Sequence, residues 1–350
     1  MAHDSWLNDR LRYRTTLELL ARKLVPQHRH SFWYFFGGLS FFFFVIQIVT
    51  GMLLLVYYSP TPETAHESVS FLMTQVPYGW LIRSVHGWSA NLMIGCVLVH
   101  LVSTFFMKAY RRPRESMWVT GVVLLFLVMG FGFTGYLLPW DTVSYFATQI
   151  GTEIPRSIPV IGSLAVKLIR GGDYIAADSL RRMFALHVVI LPLISIILVA
   201  FHLILNQVHG SSVPLRTNAN GPGIPFYPNY LFRDLIAWTI ALGAAVILAL
   251  LLPVSLGPKA EPMASAPGGI RPEWYFLSLY ETLRLLPGEI LGMNTEMLVN
   301  VGVGIATLVL LLVPFLDRRA HRGEPSPVYT WIGIFTILYI GVSTTLAYLT

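Results

Sequence analysis

The chain has 350 residues, 55% of them hydrophobic and only 12% charged. That charged share is about half that of an ordinary soluble domain, so a water-covered globular protein is excluded. The net charge of +6 is no sign of nucleic-acid binding, because the basic residues lie in segments between apolar runs, where they report membrane orientation. The single cysteine, Cys96, excludes an internal disulfide, a thiolate zinc site, an iron–sulfur cluster and a CxxCH haem attachment within this chain.

Residues 1–31 are polar and charged, without a secretory apolar run. Leu7–Val25 reads as an amphipathic helix on the membrane surface, turning Arg10, Arg12, Arg14, Arg22 and Lys23 toward headgroups. Seven apolar runs follow, at approximately 32–57, 81–107, 117–138, 184–206, 232–252, 297–316 and 328–348. Each approaches the roughly 20 residues that a helix needs to cross hydrocarbon. The expected fold is an all-α membrane protein with seven transmembrane helices. Spans one to four form a bundle over residues 32–209, a proline- and glycine-rich linker covers 210–231, and three further helices occupy 232–350. The connections 139–183 and 253–296 are long and contain helix-like stretches at Ile158–Ile169 and Trp274–Leu286, a character that usually goes with function.

The connections fall into two sets by charge. The N-terminus and the connections after spans two, four and six carry Arg10, Arg12, Arg14, Arg22, Lys23, Arg29, Lys108, Arg111, Arg112, Arg114, Arg216, Arg233, Arg318, Arg319 and Arg322. The alternate connections hold the remaining nine basic residues and most of the acids. Basic connections stay on the cytoplasmic face. The N-terminus is therefore expected inside (the N side) and the C-terminus outside (the P side).

The second span carries His86 and His100, fourteen residues apart, and the fourth carries His187 and His202, fifteen apart. At 3.6 residues per turn, fourteen residues is close to four turns, so His86 and His100 share a face about 21 Å apart in depth. The extra residue on the fourth span needs a local bend, and Pro192 lies between its two histidines. Both spans run from P to N, so His86 levels with His187 and His100 with His202. Two bis-histidine haem sites stacked across the bilayer follow, since imidazole is a standard axial haem ligand. The competing reading is a proton relay of buried histidines. Gly37 and Gly51 on the first span, and Gly121 and Gly135 on the third, repeat the fourteen-residue interval. Glycine admits a bulky group against the backbone, which suits haem faces; the alternative is close helix packing.

This frame, together with Pro272-Glu273-Trp274-Tyr275, resembles cytochrome b of the cytochrome bc complexes over nearly the whole chain. Residues 79–91 (GWLIRSVHGWSAN), 117–121 (MWVTG), 134–140 (TGYLLPW) and 155–163 (PRSIPVIGS) are similar to the photosynthetic branch, whose last three helices form a separate polypeptide. In two places the chain departs from that branch. Phe35 stands where it has a cysteine that attaches an extra haem, so no covalent haem is expected; Gly87 replaces an arginine next to His86. His209-Gly210-Ser211 and Arg233-Asp234 resemble the mitochondrial type instead, and the mosaic implies a bacterial complex in the cytoplasmic membrane.

The resemblance implies two non-covalent b-type haems on His86/His187 and His100/His202, with Arg83 as a partner for the P-side propionates and Lys108, Arg111 and Arg114 as candidates for the N-side ones. It implies quinol oxidation at the P side through Glu273, Tyr275 and Tyr136, with one electron going to a Rieske iron–sulfur partner. The other electron crosses to quinone at an N-side site of Asp234, Arg233, His209 and Ser211. A c-type cytochrome acceptor and a homodimer come with the family. The rivals are a di-haem anchor of a formate dehydrogenase or hydrogenase, which would lack Pro272–Tyr275, and a histidine-relay transporter.

Overall fold

The computed structural model describes residues 23–215, 217 and 223–349. Among these, seven helices are long and apolar enough to cross a membrane: Ser31–Leu55, Gly79–Phe106, Glu115–Tyr136, Ala177–His209, Phe226–Leu251, Thr295–His321 and Pro327–Leu349. Each expected span coincides with one of them, and the chain is an all-α membrane protein. In hydrocarbon, a spanning helix satisfies its own backbone polar groups. Apolar side chains such as Ile197, Ile204 and Val208 on the fourth span can therefore remain exposed.

Several boundaries differ from the expectation. Most of the proposed surface helix Leu7–Val25 lies outside the described residues. Its end is not helical: Leu24–Val25 pairs antiparallel with Ile224–Pro225, in the register Leu24↔Pro225 and Val25↔Ile224. Val25 is buried there, so burial of a β-branched residue wins over helical continuation. The regular helix of the fifth span begins at Leu231, after a kinked turn at Phe226–Tyr230 in which Tyr227 is not helical. The fourth span begins at Ala177, where the amphipathic helix Ala177–Ala185 runs on into the membrane.

No simple bend absorbs the extra residue between His187 and His202. Leu186–Ile190 forms a π-helical turn that contains His187. A π turn takes up one residue more than an α turn. Pro192 has no N–H to continue the regular ladder, and the wide turn directly precedes it.

The connections after the first, third and fifth spans contain short helices, of which Ala65–Thr74 and Thr142–Glu153 were not read from the sequence. The latter is started by a reciprocal cap. Asp141 Oδ1 accepts from Ser144 N at 2.9 Å, and Asp141 N donates to Ser144 Oγ at 3.2 Å. The remaining oxygen, Asp141 Oδ2, accepts from Gly257 N at 3.2 Å, which ties the third-to-fourth connection to the fifth-to-sixth. The expected stretches near 158–169 and 274–286 are present as Gly162–Arg170 and, after a 3₁₀ turn at Trp274–Phe276, Leu277–Leu285.

Arg170 locks the third-to-fourth connection. Its side chain is 3% exposed and bonds Thr152 Oγ1 (2.6 Å), Gln149 O (2.8 Å), Asp173 O (3.0 Å) and Glu153 Oε2 (2.9 Å). Arg170→Met should destabilise the fold by about 1–3 kcal/mol, because it leaves the buried Thr152 hydroxyl and two main-chain carbonyls without their donor. Limited proteolysis within 154–175 reads this as faster cleavage than in the parent protein.

The C-terminal helices are pinned to the bundle through main-chain groups. Trp88 Nε1 donates to Leu252 O at 2.8 Å, and Val254 N donates to Ser84 Oγ at 3.1 Å. Between the third and sixth spans, Trp118 Nε1 donates to Leu310 O at 2.8 Å.

Candidate functional site

The four histidines form two pairs, each seated by glycines on the neighbouring spans. A Cβ added at Gly51 would stand 3.5 Å from His86 Cε1, and one at Gly37 would stand 3.1 Å from His100 Cε1. On the other side of the bundle, a Cβ at Gly135 would meet His187 Cε1 at 2.5 Å, and one at Gly121 would meet His202 Cε1 at 3.4 Å. Each glycine of the repeated fourteen-residue interval therefore faces one imidazole. The His86 and His187 rings have centroids 6.4 Å apart and planes inclined at 67°. Two ring nitrogens about 2 Å from one metal ion would put the centroids about 6 Å apart. His100 and His202 are electrostatic neighbours.

Threonines fix the ring tautomers. Thr50, Thr120 and Thr134 directly precede Gly51, Gly121 and Gly135. Each spends its hydroxyl proton on a carbonyl one turn back: Thr50 on Ile46 (2.6 Å), Thr120 on Ser116 (2.9 Å) and Thr134 on Gly130 (2.8 Å). The oxygen then has only lone pairs for the imidazole. It accepts from Nδ1 of His86 at 2.8 Å, of His202 at 3.0 Å and of His187 at 3.2 Å. Phe131 O is a second acceptor for His187 Nδ1, at 3.1 Å. With the proton held on Nδ1, Nε2 keeps a bare electron pair, as a metal-binding imidazole requires. His100 differs: Phe36 precedes Gly37, and its buried Nδ1 has no hydrogen-bond partner among the described residues. The glycine seats, the His86–His187 ring pair and the tautomer locks are what imidazoles that hold haem iron would need.

The Pro272–Tyr275 segment lies against the same bundle. Trp274 Nε1 donates to Asn91 Oδ1 on the second span at 2.7 Å. The Tyr275 hydroxyl occupies the space where Gly132 of the third span lacks a Cβ. Gly132 adjoins Phe131, whose carbonyl holds His187. Glu273 is partly buried just before the 3₁₀ turn, and burial raises its carboxyl above the usual range. The Tyr275 phenol is raised too, first by burial and then by the neighbouring Glu273 and Tyr136. Glu273, Tyr275 and Tyr136 thus form one electrostatic cluster at the end of the third span.

The expected propionate partners Arg83 and Arg114 bond main-chain carbonyls. Arg83 Nη1 donates to Val254 O at 2.8 Å and Nη2 to Ser255 O at 3.2 Å. Arg114 donates to His209 O at 2.8 Å and Gly210 O at 3.3 Å, closing the end of the fourth span. Of the expected N-side quinone residues, Asp234 is buried, with its Oδ1 3.3 Å from where a Gly38 Cβ would be. Arg233 is exposed and does not join it, since adjacent helical residues point about 100° apart. His209 and Ser211 lie partly buried where the fourth span ends. The sequence reading missed Gly38, Tyr34 and Ser212. Tyr34 Oη donates to Ser212 O at 2.6 Å and meets His28 Nε2 at 2.7 Å. The doublet Gly37-Gly38 was the available signal, one glycine for His100 and one for Asp234. Phe35 stacks on Tyr230, with centroids 5.5 Å apart and planes 8° apart.

Residues 20–210 match the family model described as cytochrome b/b6/petB, and residues 259–350 match cytochrome b(C-terminal)/b6/petD. A cytochrome bc complex cytochrome b subunit from Chlorobaculum thiosulfatiphilum is 45% identical over 94% of this chain and 76% of its own length. Cytochrome b6 from Auxenochlorella protothecoides is 40% identical over 60% of this chain and 97% of its own. Among solved structures, a chain of a hyperthermophilic respiratory Complex III superposes with a TM-score of 0.86 at 29% identity, covering 98% of this chain and 90% of that one.

Proposed function

The chain belongs to the cytochrome b family, and from that premise we propose that it is the di-haem cytochrome b subunit of a bacterial Rieske/cytochrome b complex that oxidises quinol. The observation that carries this reading is the seat of Tyr275 at Gly132, one residue from the carbonyl that holds His187. It sets Glu273 and Tyr275 beside one histidine pair. Quinol chemistry and an electron acceptor thereby share a wall.

His86 and His187 would hold one haem, and His100 and His202 the other. When bound, the haems supply one-electron transfer along the bundle. Thr50, Thr120 and Thr134 keep the ring proton on Nδ1 and orient three of the four rings. Thr50→Val removes an acceptor at little change in volume, and should weaken haem retention about 10–100-fold. Haem loss to an excess of a soluble haem acceptor measures this.

Of the two protons that quinol sheds with its two electrons, Glu273 accepts one and the other passes to water at the P side, while the Tyr275 phenol, which stays protonated at neutral pH, donates a hydrogen bond to the ring oxygen. One electron leaves for the Rieske partner, and a c-type cytochrome or an equivalent carrier receives it. The other crosses toward the N side, where quinone takes up two electrons and two protons over two turnovers and Asp234, seated against Gly38, supplies one of the protons. His209, Ser211 and Arg233 border that region. Phe35 has no thiol for a covalent attachment, which supports two haems rather than three. The distribution of basic residues supports a multi-pass protein of the bacterial cytoplasmic membrane, with a cytoplasmic N-terminus and a periplasmic C-terminus. A homodimer is expected by family.

A reduced-minus-oxidised spectrum of the purified chain, with haem counted per chain, tests the reading directly. Two b-type haems are expected, and the complex should pass electrons from quinol to a c-type cytochrome. A chain without a b-type band would sink the proposal.

A further inference from the structure

Three of the four imidazoles rest against a Thr-Gly step, and the fourth, His100, rests against Phe36-Gly37. The glycine half of that step is intact. A Cβ at Gly37 would stand 3.1 Å from His100 Cε1 and 3.4 Å from Nδ1. These clearances fall between those at Gly135, 2.5 and 3.0 Å from His187, and those at Gly121, 3.4 and 3.9 Å from His202. At both of these the preceding threonine reaches the ring, Thr134 at 3.2 Å and Thr120 at 3.0 Å. Position 36 lies in the regular helix Phe35–Leu55. It therefore stands toward His100 as Thr134 stands toward His187 and Thr120 toward His202.

What fills position 36 is apolar. The Phe36 ring packs with its own turn, its centroid 5.7 Å from that of Trp33 and 5.7 Å from that of Phe32. The buried Nδ1 of His100 is left with no acceptor among the described residues. Hydroxyls on adjoining turns donate to main-chain carbonyls instead. Ser40 Oγ donates to Phe36 O at 2.7 Å, and Ser103 Oγ and Thr104 Oγ1 donate to His100 O at 2.9 and 2.8 Å.

An imidazole that holds iron through Nε2 is a stronger donor when its Nδ1–H is bonded, because the acceptor raises the basicity of the ring. A stronger donor binds the iron more firmly and favours its ferric form; hydrogen bonds beyond the ligands are one of the levers on haem potential. On the two-haem reading, from which this follows, we propose that Phe36 is a tuning position for the His100/His202 haem. It withholds from His100 the acceptor that a threonine gives the other three histidines. That haem is thereby held more loosely, and its iron is more easily reduced, than it would be with threonine at 36.

The test compares Phe36→Thr with Phe36→Val in the purified full-length chain. The two replacements share a shape and both remove the phenyl ring, so their difference reports the hydroxyl alone. A potentiometric titration of the difference spectrum resolves the two haems. Against Phe36→Val, Phe36→Thr should raise the ferric-to-ferrous ratio of one haem about tenfold, which is about 59 mV downward for a one-electron couple. The other midpoint should stay in place. Loss of the shifted haem to an excess of a soluble haem acceptor should slow about tenfold. Thr120→Val removes the acceptor from the other ligand of the same haem, so it should move the same midpoint upward. If Phe36→Thr fails to fold, Phe36→Ser against Phe36→Ala repeats the comparison with less bulk. Equal midpoints and equal haem loss within each pair would overturn the tuning role alone, since the His100 proton would then be bonded already. A shift shared by both haems would overturn it too. A parent chain without two b-type haems would overturn the two-haem reading along with it.

Discussion

Gly135→Ala should leave the protein with about one haem per chain, whereas Gly51→Ala should keep both. The two glycines occupy equivalent positions on different spans, yet their clearances differ. A methyl group at Gly135 would stand 2.5 Å from His187 Cε1, 3.0 Å from Nδ1 and 3.2 Å from Nε2. The ring cannot simply retreat, because Thr134 and Phe131 O both hold its Nδ1. Overpacking of this kind costs about 1–3 kcal/mol, and the displacement falls on the nitrogen that would meet the iron. At Gly51 the methyl would lie 3.5 Å from His86 Cε1, an ordinary contact. Gly37 and Gly121, at 3.1 and 3.4 Å, should fall between. Haem per chain and the difference spectrum of the four alanine variants measure the series. Equal behaviour of all four would return these glycines to simple helix packing.

The seven spans were legible because lipid as solvent imposes long apolar helices, and nothing else in the chain competes with that pattern. The histidine frame was legible because fourteen residues closes on a whole number of turns. The fifteen-residue interval was not. Its explanation, a π turn at Leu186–Ile190, depends on how the backbone accommodates Pro192. The three Thr-Gly steps stood in the sequence unread, since only the fold shows that each hydroxyl meets an imidazole. Arg83 and Arg114 illustrate another limit: their partners are main-chain carbonyls, which leave no residue-specific trace. The helix Thr142–Glu153 was missed although Asp141 and Ser144 have capping spacing. The role given to Glu273 depended on resemblance, because a lone acid at a helix start reads equally well as a solvated cap.

Glu273→Gln in the assembled complex should slow quinol oxidation by about 10²–10⁴, the usual contribution of a positioned proton acceptor, and leave both haem bands unchanged. The amide matches the carboxylate in shape but cannot take the proton. Burial raises the Glu273 carboxyl, so its active, deprotonated form is reached only above the usual carboxylate range of about 4.3. The rate at low quinol concentration should therefore rise with pH through that raised midpoint, and the variant should lose this limb. For stability the sign is opposite. A raised carboxyl holds its proton more tightly in the folded state, so its contribution is full below the unfolded value and fades as pH climbs through the folded one. Tyr275→Phe separates proton transfer from positioning. Its phenol is raised by burial and by Glu273 and stays protonated across the working range. Its removal should weaken quinol binding while the acid limb persists. If Glu273→Gln turned over at the parent rate with the acid limb intact, another group would be the proton acceptor.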